Sequence, residues 1–286
     1  RQVGGRQRCA GVQAVVLAAQ HARFDAEAGQ RRYGAFTVLE RPHVAGHAGL
    51  QRLQRRRRRR QHARKRRLPR QGLAVVGESG AGKSLTGAAI IGLLEPPGRV
   101  ASGQILLEGQ RIDNLGDEEM RHIRGRRIGA IFQDPLTSLN PLYTVGRQLT
   151  ETILAHLPVN AAEARQRAIQ LLKDTGIPAA EERIDHYPHQ FSGGMRQRVV
   201  IALALAAEPK LIVADEPTTA LDVSIQAQII TLLKNICKSR GAAVMLITHD
   251  MGVIAETCDR VAVLYAGRVA EIGPVHDVIN QPSHPY

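Results

Sequence analysis

Leu73-Ala74-Val75-Val76-Gly77-Glu78-Ser79-Gly80-Ala81-Gly82-Lys83-Ser84 runs from four consecutive apolar residues into a glycine-spaced loop that closes on a Lys-Ser pair. Four apolar residues bounded by polar ones and glycine read as a buried strand. The loop matches G-x-x-x-x-G-K-S, placed after a strand and before a helical stretch, as a phosphate cradle requires. Glycines let backbone N–H groups converge on phosphate oxygens, and the helix that follows offers its positive end. Lys83 is expected to reach β- and γ-phosphates, and the Ser84 hydroxyl to ligate Mg²⁺. The cradle alone implies nucleotide binding and nothing narrower.

Outward from this segment, short apolar runs alternate with helical stretches from Leu73 onward, which predicts an α/β domain on a mainly parallel sheet. Gln104 to Glu108 is predicted as a strand with a turn at Gly109. Arg127 to Phe132 is predicted as another, ending in Gln133-Asp134-Pro135. Val145 to Ala155 and Ala161 to Asp174 carry apolar residues at spacings of three and four, so both are predicted as helices. Pro158, Gly176-Ile177-Pro178 and Pro188 separate these segments. Together with a helix expected over Met195 to Ala207 and ended by Pro209, they form a helical subdomain, about residues 144–207, inserted in the α/β core.

Four further segments carry polar groups at element ends. Ser192 sits where an N-cap belongs, and Gly193 and Gly194 leave the following helix start bare, so its N–H groups and dipole can meet a phosphate. An ordinary capped helix reads equally well from these residues alone. Leu211 to Ala214 reads as a buried strand ending in Asp215-Glu216. Adjacent carboxylates there mark a metal site or a solvated edge, and the phosphate loop favours the first: Asp215 holding Mg²⁺ through water, Glu216 orienting and deprotonating an attacking water. Thr219-Ala220-Leu221-Asp222 opens a helix over Val223 to Lys238. Ala243 to Thr248 is a strand delivering His249-Asp250, where His249 can bond a γ-phosphate, although a lone His is more often structural.

The order phosphate loop, Gln133, Ser192-Gly193-Gly194, Asp215-Glu216, Asp222 and His249 resembles the ATP-binding-cassette (ABC) ATPases, over residues 73–286. The resemblance implies that Gln133 senses Mg²⁺ and a transmembrane partner. It also implies that residues 192–196 cap the ATP held by a second subunit and that Asp222 couples the two sites. Phe132-Gln133-Asp134-Pro135-Leu136-Thr137-Ser138-Leu139-Asn140-Pro141, Met195 and the ending Pro282-Ser283-His284-Pro285-Tyr286 are similar to the subfamily that powers bacterial import of oligopeptides, dipeptides and nickel. That implies an ATP- and Mg²⁺-dependent ATPase on the cytoplasmic face of the inner membrane. Its partners would be a second ATPase subunit, identical or paralogous, two permease subunits and, indirectly, a periplasmic solute-binding protein. Members of the subfamily continue past the equivalent of Tyr286, so the chain is expected to be truncated there.

Charge is distributed unevenly. Residues 1–72 hold 19 Lys/Arg and 3 Asp/Glu, net +16, whereas residues 73–286 hold 20 and 23, net −3. The formal charge of +13 therefore belongs to a leader that contains Arg55 to Arg60 and little apolar periodicity, too little to offset its chain entropy by burial. Three readings of 1–72 stand in this order: a frame-shifted segment, since arginine CGN codons read one base later become GNN codons; a solvated tail; an arginine tract that binds nucleic acid or anionic lipid. Cys9, Cys237 and Cys258 are too scattered for a disulfide framework or metal site. No apolar run approaches the roughly 18 residues of a membrane span, and Arg1 opens no signal-peptide layout.

Other readings are a soluble ABC protein acting on ribosomes or DNA, and an inactive product of a damaged gene. One copy of each motif, without Cys pairs or long heptads, argues against the first, and no nucleic-acid partner is expected. ABC domains usually open with an antiparallel β region whose aromatic residue stacks on adenine, two to three dozen positions before the phosphate loop. Between Phe36 and Phe132 no aromatic residue occurs, so that region is expected to be missing or corrupted. Loss of a base–aromatic contact costs about 1–3 kcal/mol. Calorimetric titration with ATP should therefore give weaker binding than a related domain with an intact leader, and equal affinity would overturn this expectation.

Overall fold

Alternate residues of the first strand face opposite ways, and this sets the sheet between two apolar layers. In β1 (Gly72–Gly77), Leu73 and Val75 pack into a cluster with Ala89, Ile90 and Ile91, while Ala74 and Val76 pack with Ile254 and Val275 on the other side. The computed structural model describes residues 72–219 and 221–286. Expectations for residues 1–71, including the fate of the antiparallel β region, lie outside the described residues, as does Ala220.

The further strands are β2 (Leu106–Leu107), β3 (Gln110–Arg111), β4 (Ile128–Ile131), β5 (Leu211–Asp215), β6 (Ala243–Ile247), β7 (Arg260–Tyr265) and β8 (Arg268–Pro274). With β1, five of them form one sheet in the order β4-β5-β6-β1-β7-β8. Every neighbouring pair is parallel except β7 with β8. The carboxyl ends of β4, β5, β6, β1 and β7 therefore share one edge, where open parallel sheets bind ligands. β1 leads through the phosphate loop to α1 (Lys83–Ile91), and α2 (Asp117–Ile123) precedes β4. A short α3 (Pro135–Ser138) follows β4, its N-cap Asp134 accepting from the Leu136 N–H.

The inserted helices are α4 (Val145–His156), α5 (Ala161–Asp174), α6 (Ala180–Arg183) and α7 (Gly193–Leu205). Thr144 and Asn160 cap α4 and α5 by accepting from the N–H groups of Arg147 and Glu163, each satisfying an orphan donor. Val145, Leu149 and Ile153 line one face of α4, and Ala164, Ala168, Leu171 and Leu172 one face of α5. Both faces meet α7, where Val199, Val200, Ile201 and Ala202 are all buried. A single apolar cluster runs from Leu149 and Ile153 through Ile201 to Ile212 and Ala214 on β5, so the insert and the sheet share a core. At about 1.5–3 kcal/mol for each fully buried Leu, Ile or Val side chain, this shared layer fixes α7 against the sheet. The chain ends with α8 (Val223–Arg240), α9 (Met251–Thr257) and α10 (Val275–Asn280). Among the described residues no helix is long and apolar enough to cross a membrane.

Several element ends differ from the sequence expectation by one or two residues, and two of the differences have a visible cause. The strand expected over Gln104 to Glu108 is only Leu106–Leu107, because the Ile105 N–H is taken by the Asp113 carboxylate at 2.6 Å and the remaining ladder is one tight hairpin. α7 ends at Leu205, not Ala207: Ala206 and Glu208 N–H turn back to Leu203 and Leu205 carbonyls, and Glu208 takes a φ of 55° before Pro209.

β4 and α7 approach so closely that a Cβ on Gly129 would lie 2.3 Å from the Ala204 carbonyl oxygen. Gly129→Ala must push backbone from backbone and is expected to cost about 1–3 kcal/mol, read as a lower urea midpoint. Gly116→Ala, whose Cβ would meet only Glu119 Oε2 at 3.9 Å, should shift it much less; equal midpoints would contradict the packing described.

Candidate functional site

The shared edge gathers most of the residues singled out from the sequence. Gly77 ends β1 with a φ of 151°, and a Cβ there would stand 2.1 Å from the Leu264 carbonyl oxygen; only glycine lets the loop leave the sheet at this point. The loop Gly77-Glu78-Ser79-Gly80-Ala81-Gly82 then turns into α1, whose N-cap Gly82 has no capping side chain, so the helix's first N–H groups face outward. Lys83 is buried, and its ammonium donates to the Gly77 and Glu78 carbonyls at 2.9 and 3.0 Å. A lysine ammonium has three donors; two hold the loop in shape.

Asp215 ends β5 beside this loop. The Ser84 hydroxyl lies beside its carboxylate, whose Oδ1 is buried without a hydrogen-bond partner among the described residues. Burial pushes the Asp215 carboxyl above the usual aspartate range and Glu216 adds to the shift, whereas the nearby Ser84 hydroxyl and the Lys83 charge oppose it. An orphaned buried carboxylate oxygen beside a hydroxyl suits a hard cation. Among the described residues no three His, Cys, Asp or Glu side chains converge as a metal site, so a cation here needs ligands from a bound phosphate or water, the usual manner of Mg²⁺.

Glu216 is the focus of the second cluster. Its backbone sits at φ 43°, a left-handed conformation costly for a side-chain-bearing residue, and its N–H donates to the Ile247 carbonyl of β6 at 2.9 Å. Its Oε2 accepts from Gln133 Nε2 and Thr219 Oγ1, both at 3.1 Å, and its Oε1 lies 3.4 Å from His249 Nδ1. The side chain keeps 20% of its accessibility, so the carboxylate is oriented yet reachable by water. Thr248, Asp250 and Gln226 complete the cleft around it. Gln133, from the end of β4, thus meets a carboxylate from β5 and an imidazole from the end of β6, residues up to 116 positions apart in the sequence.

Ser192, Gly193, Gly194 and Asp222 form a separate place. Ser192 Oγ accepts from the Met195 N–H at the start of α7. Cβ atoms on Gly193 and Gly194 would meet Leu221 and Ile225, which flank the start of α8. Asp222 is the N-cap of α8 through its backbone carbonyl, and its side chain makes no capping bond. Sequence reasoning missed the hydroxyl of Thr219. It was visible only as part of the segment before Asp222, and no spacing rule announces a bond back to Glu216.

A family model described as ABC transporter matches residues 68–219. The chain is 54% identical over 215 residues to the oligopeptide transport ATP-binding protein OppD of Bacillus subtilis, covering 75% of this chain and 60% of that one. It is 50% identical over 214 residues to the dipeptide transport ATP-binding protein DppD of Escherichia coli, covering 75% and 65%. The chain thus spans about three fifths of the length of the curated relatives it matches. Among solved structures it is similar to the dimeric, ADP- and phosphate-bound post-hydrolysis state of the ATP-binding cassette MJ0796, with a TM-score of 0.64 and 32% identity over 73% of this chain and 87% of that one.

Because the Asp215 carboxyl is raised by burial, its ionised form is less favoured folded than unfolded. Stability is then lost as pH rises through the window from the ordinary Asp value of about 4 to the raised one. Asp215→Asn should melt higher than the unaltered chain at pH 7 without nucleotide or Mg²⁺, and the gain should vanish below about pH 4. A lower melting temperature at pH 7, measured by calorimetry, would contradict this reading.

Proposed function

The chain belongs to the ABC transporter family, and from that premise we propose that it is the ATP-hydrolysing subunit of a bacterial importer of peptides or nickel. The observation that carries the proposal is the Glu216 carboxylate, fixed at the sheet edge by Gln133, Thr219 and His249, beside the phosphate loop. The names of relatives that act in oligopeptide and dipeptide transport support the cargo class.

In this reading the backbone N–H groups of Gly77 to Ser84 cradle the phosphates of ATP, and Lys83 turns an ammonium proton to the β- and γ-phosphates. Ser84, Asp215 and Gln133 would hold Mg²⁺, and a cation held there would supply neutralisation of the charge that develops on the phosphate oxygens. Glu216 orients the attacking water and takes its proton, and His249 bonds the γ-phosphate. Hydrogen bonds to Glu216 Oε2 leave Oε1, on the His249 side, as the oxygen that receives the proton.

Ser192, Gly193 and Gly194 cap the ATP of a second ATPase subunit, identical or paralogous, through the bare start of α7. Asp222, on the same surface, couples the two sites. Two permease subunits receive the closing and opening motion near Gln133 and the inserted helices, and a periplasmic solute-binding protein delivers cargo to them. The subunit sits peripherally on the cytoplasmic face of the inner membrane.

Glu216→Gln keeps the shape of the side chain and removes the base. Mg²⁺-dependent phosphate release should fall by about 10²–10⁴-fold while ATP binding persists, as measured by phosphate assay and nucleotide titration. Release at the unaltered rate would refute the role given to Glu216.

A further inference from the structure

We propose that Thr219 is a positioning residue for hydrolysis, its hydroxyl fixing the plane of the Glu216 carboxylate. This rests on the reading of Glu216 as the base. Glu216 leaves β5 at the left-handed φ of 43°, and nothing covalent past Cα dictates where its carboxylate points. A Glu side chain loses rotamer freedom when fixed, so its orientation must come from bonds.

Three groups face it, and they are unequal. Gln133 Nε2 at 3.1 Å is an exposed donor from the end of another strand, and His249 Nδ1 stands at 3.4 Å on an imidazole that keeps 71% of its accessibility. Thr219 is partly buried and bonds twice: its N–H donates to the Glu216 carbonyl at 3.2 Å, and its Oγ1 donates to Oε2 at 3.1 Å. A backbone turn and a side-chain bond between the same two residues close a ring. The β-branched Thr adds a stiff χ1, so the carboxylate is referenced to the turn itself. The Gln133 and His249 bonds depend on the relative placement of separate strands; the Thr219 bond does not. Thr219 thus presents Oε1 to the cleft with Oε2 occupied, whatever the neighbouring strands do.

Removal of the hydroxyl leaves Glu216 chemically intact and misaligned. The test measures kcat and KM for ATP, with melting temperature as a folding check, in the full chain with its transporter partners. Thr219→Val, which keeps shape and branching, should lower kcat on the order of 10-fold, the scale of a sub-ångström loss of alignment, with KM within twofold. Thr219→Ser, which restores the hydroxyl, should recover kcat to within twofold. Equal kcat for Val and unaltered chain, equal loss in Val and Ser, or a change confined to KM would each overturn the positioning role. If Glu216→Gln itself leaves kcat unchanged, the reading of Glu216 falls and the proposal with it, a result distinct from failure of the Thr219 arm alone.

Discussion

Parallel pairing of β6 with both β5 and β1 is the constraint on which the site depends. It aligns three carboxyl ends at one edge, and the hydrogen bonding continues past the strands: Glu216 N–H reaches the Ile247 carbonyl, and Thr248 N–H reaches the Val75 carbonyl at 3.3 Å. The loops that carry the carboxylates, the imidazole and the phosphate cradle are therefore stitched to one another by backbone before any side chain acts. Side-chain bonds among Gln133, Thr219, His249 and Glu216 refine a geometry that the sheet has already brought within reach.

Burial shapes the chemistry of the same edge. Asp215 is drawn far enough into the core to lose hydration and to leave Oδ1 without a partner, a cost characteristic of sites that wait for a ligand. Glu216, one residue on, turns out of the sheet at a strained φ and stays accessible. Two adjacent acids thereby acquire different environments, one fit to bind a cation and the other to meet water. The glycine at position 129 has a comparable role at a distance, since close contact of β4 with α7 sets the strand that delivers Gln133.

Much of this was legible in the sequence because strong local patterns agree with the global fold. Leu73 to Val76 and Leu211 to Ala214 are uninterrupted apolar runs and became central strands, and the spacing in Ala161 to Asp174 returned a helix over the same residues. Lys83, Asp215, Glu216 and His249 lie near one another because each ends or follows a strand, and parallel topology sends strand ends to one place. The 104–108 strand is shorter than expected because an Asp113 carboxylate eight residues on competes for its backbone, a side-chain competition that propensity does not encode. Thr219 was unreadable for a similar reason: its role is one hydroxyl bond, created by a left-handed turn at Glu216 that no apolar pattern announces.

The most direct measurement of the proposed activity is peptide uptake together with phosphate release in vesicles that carry the proposed permeases and second ATPase subunit, with the chain unaltered or as Lys83→Ala. Loss of the ammonium that spans the phosphate loop should abolish uptake and release in parallel. Uptake that persists with Lys83→Ala, or release that continues without it, would contradict a motor driven from this sheet edge.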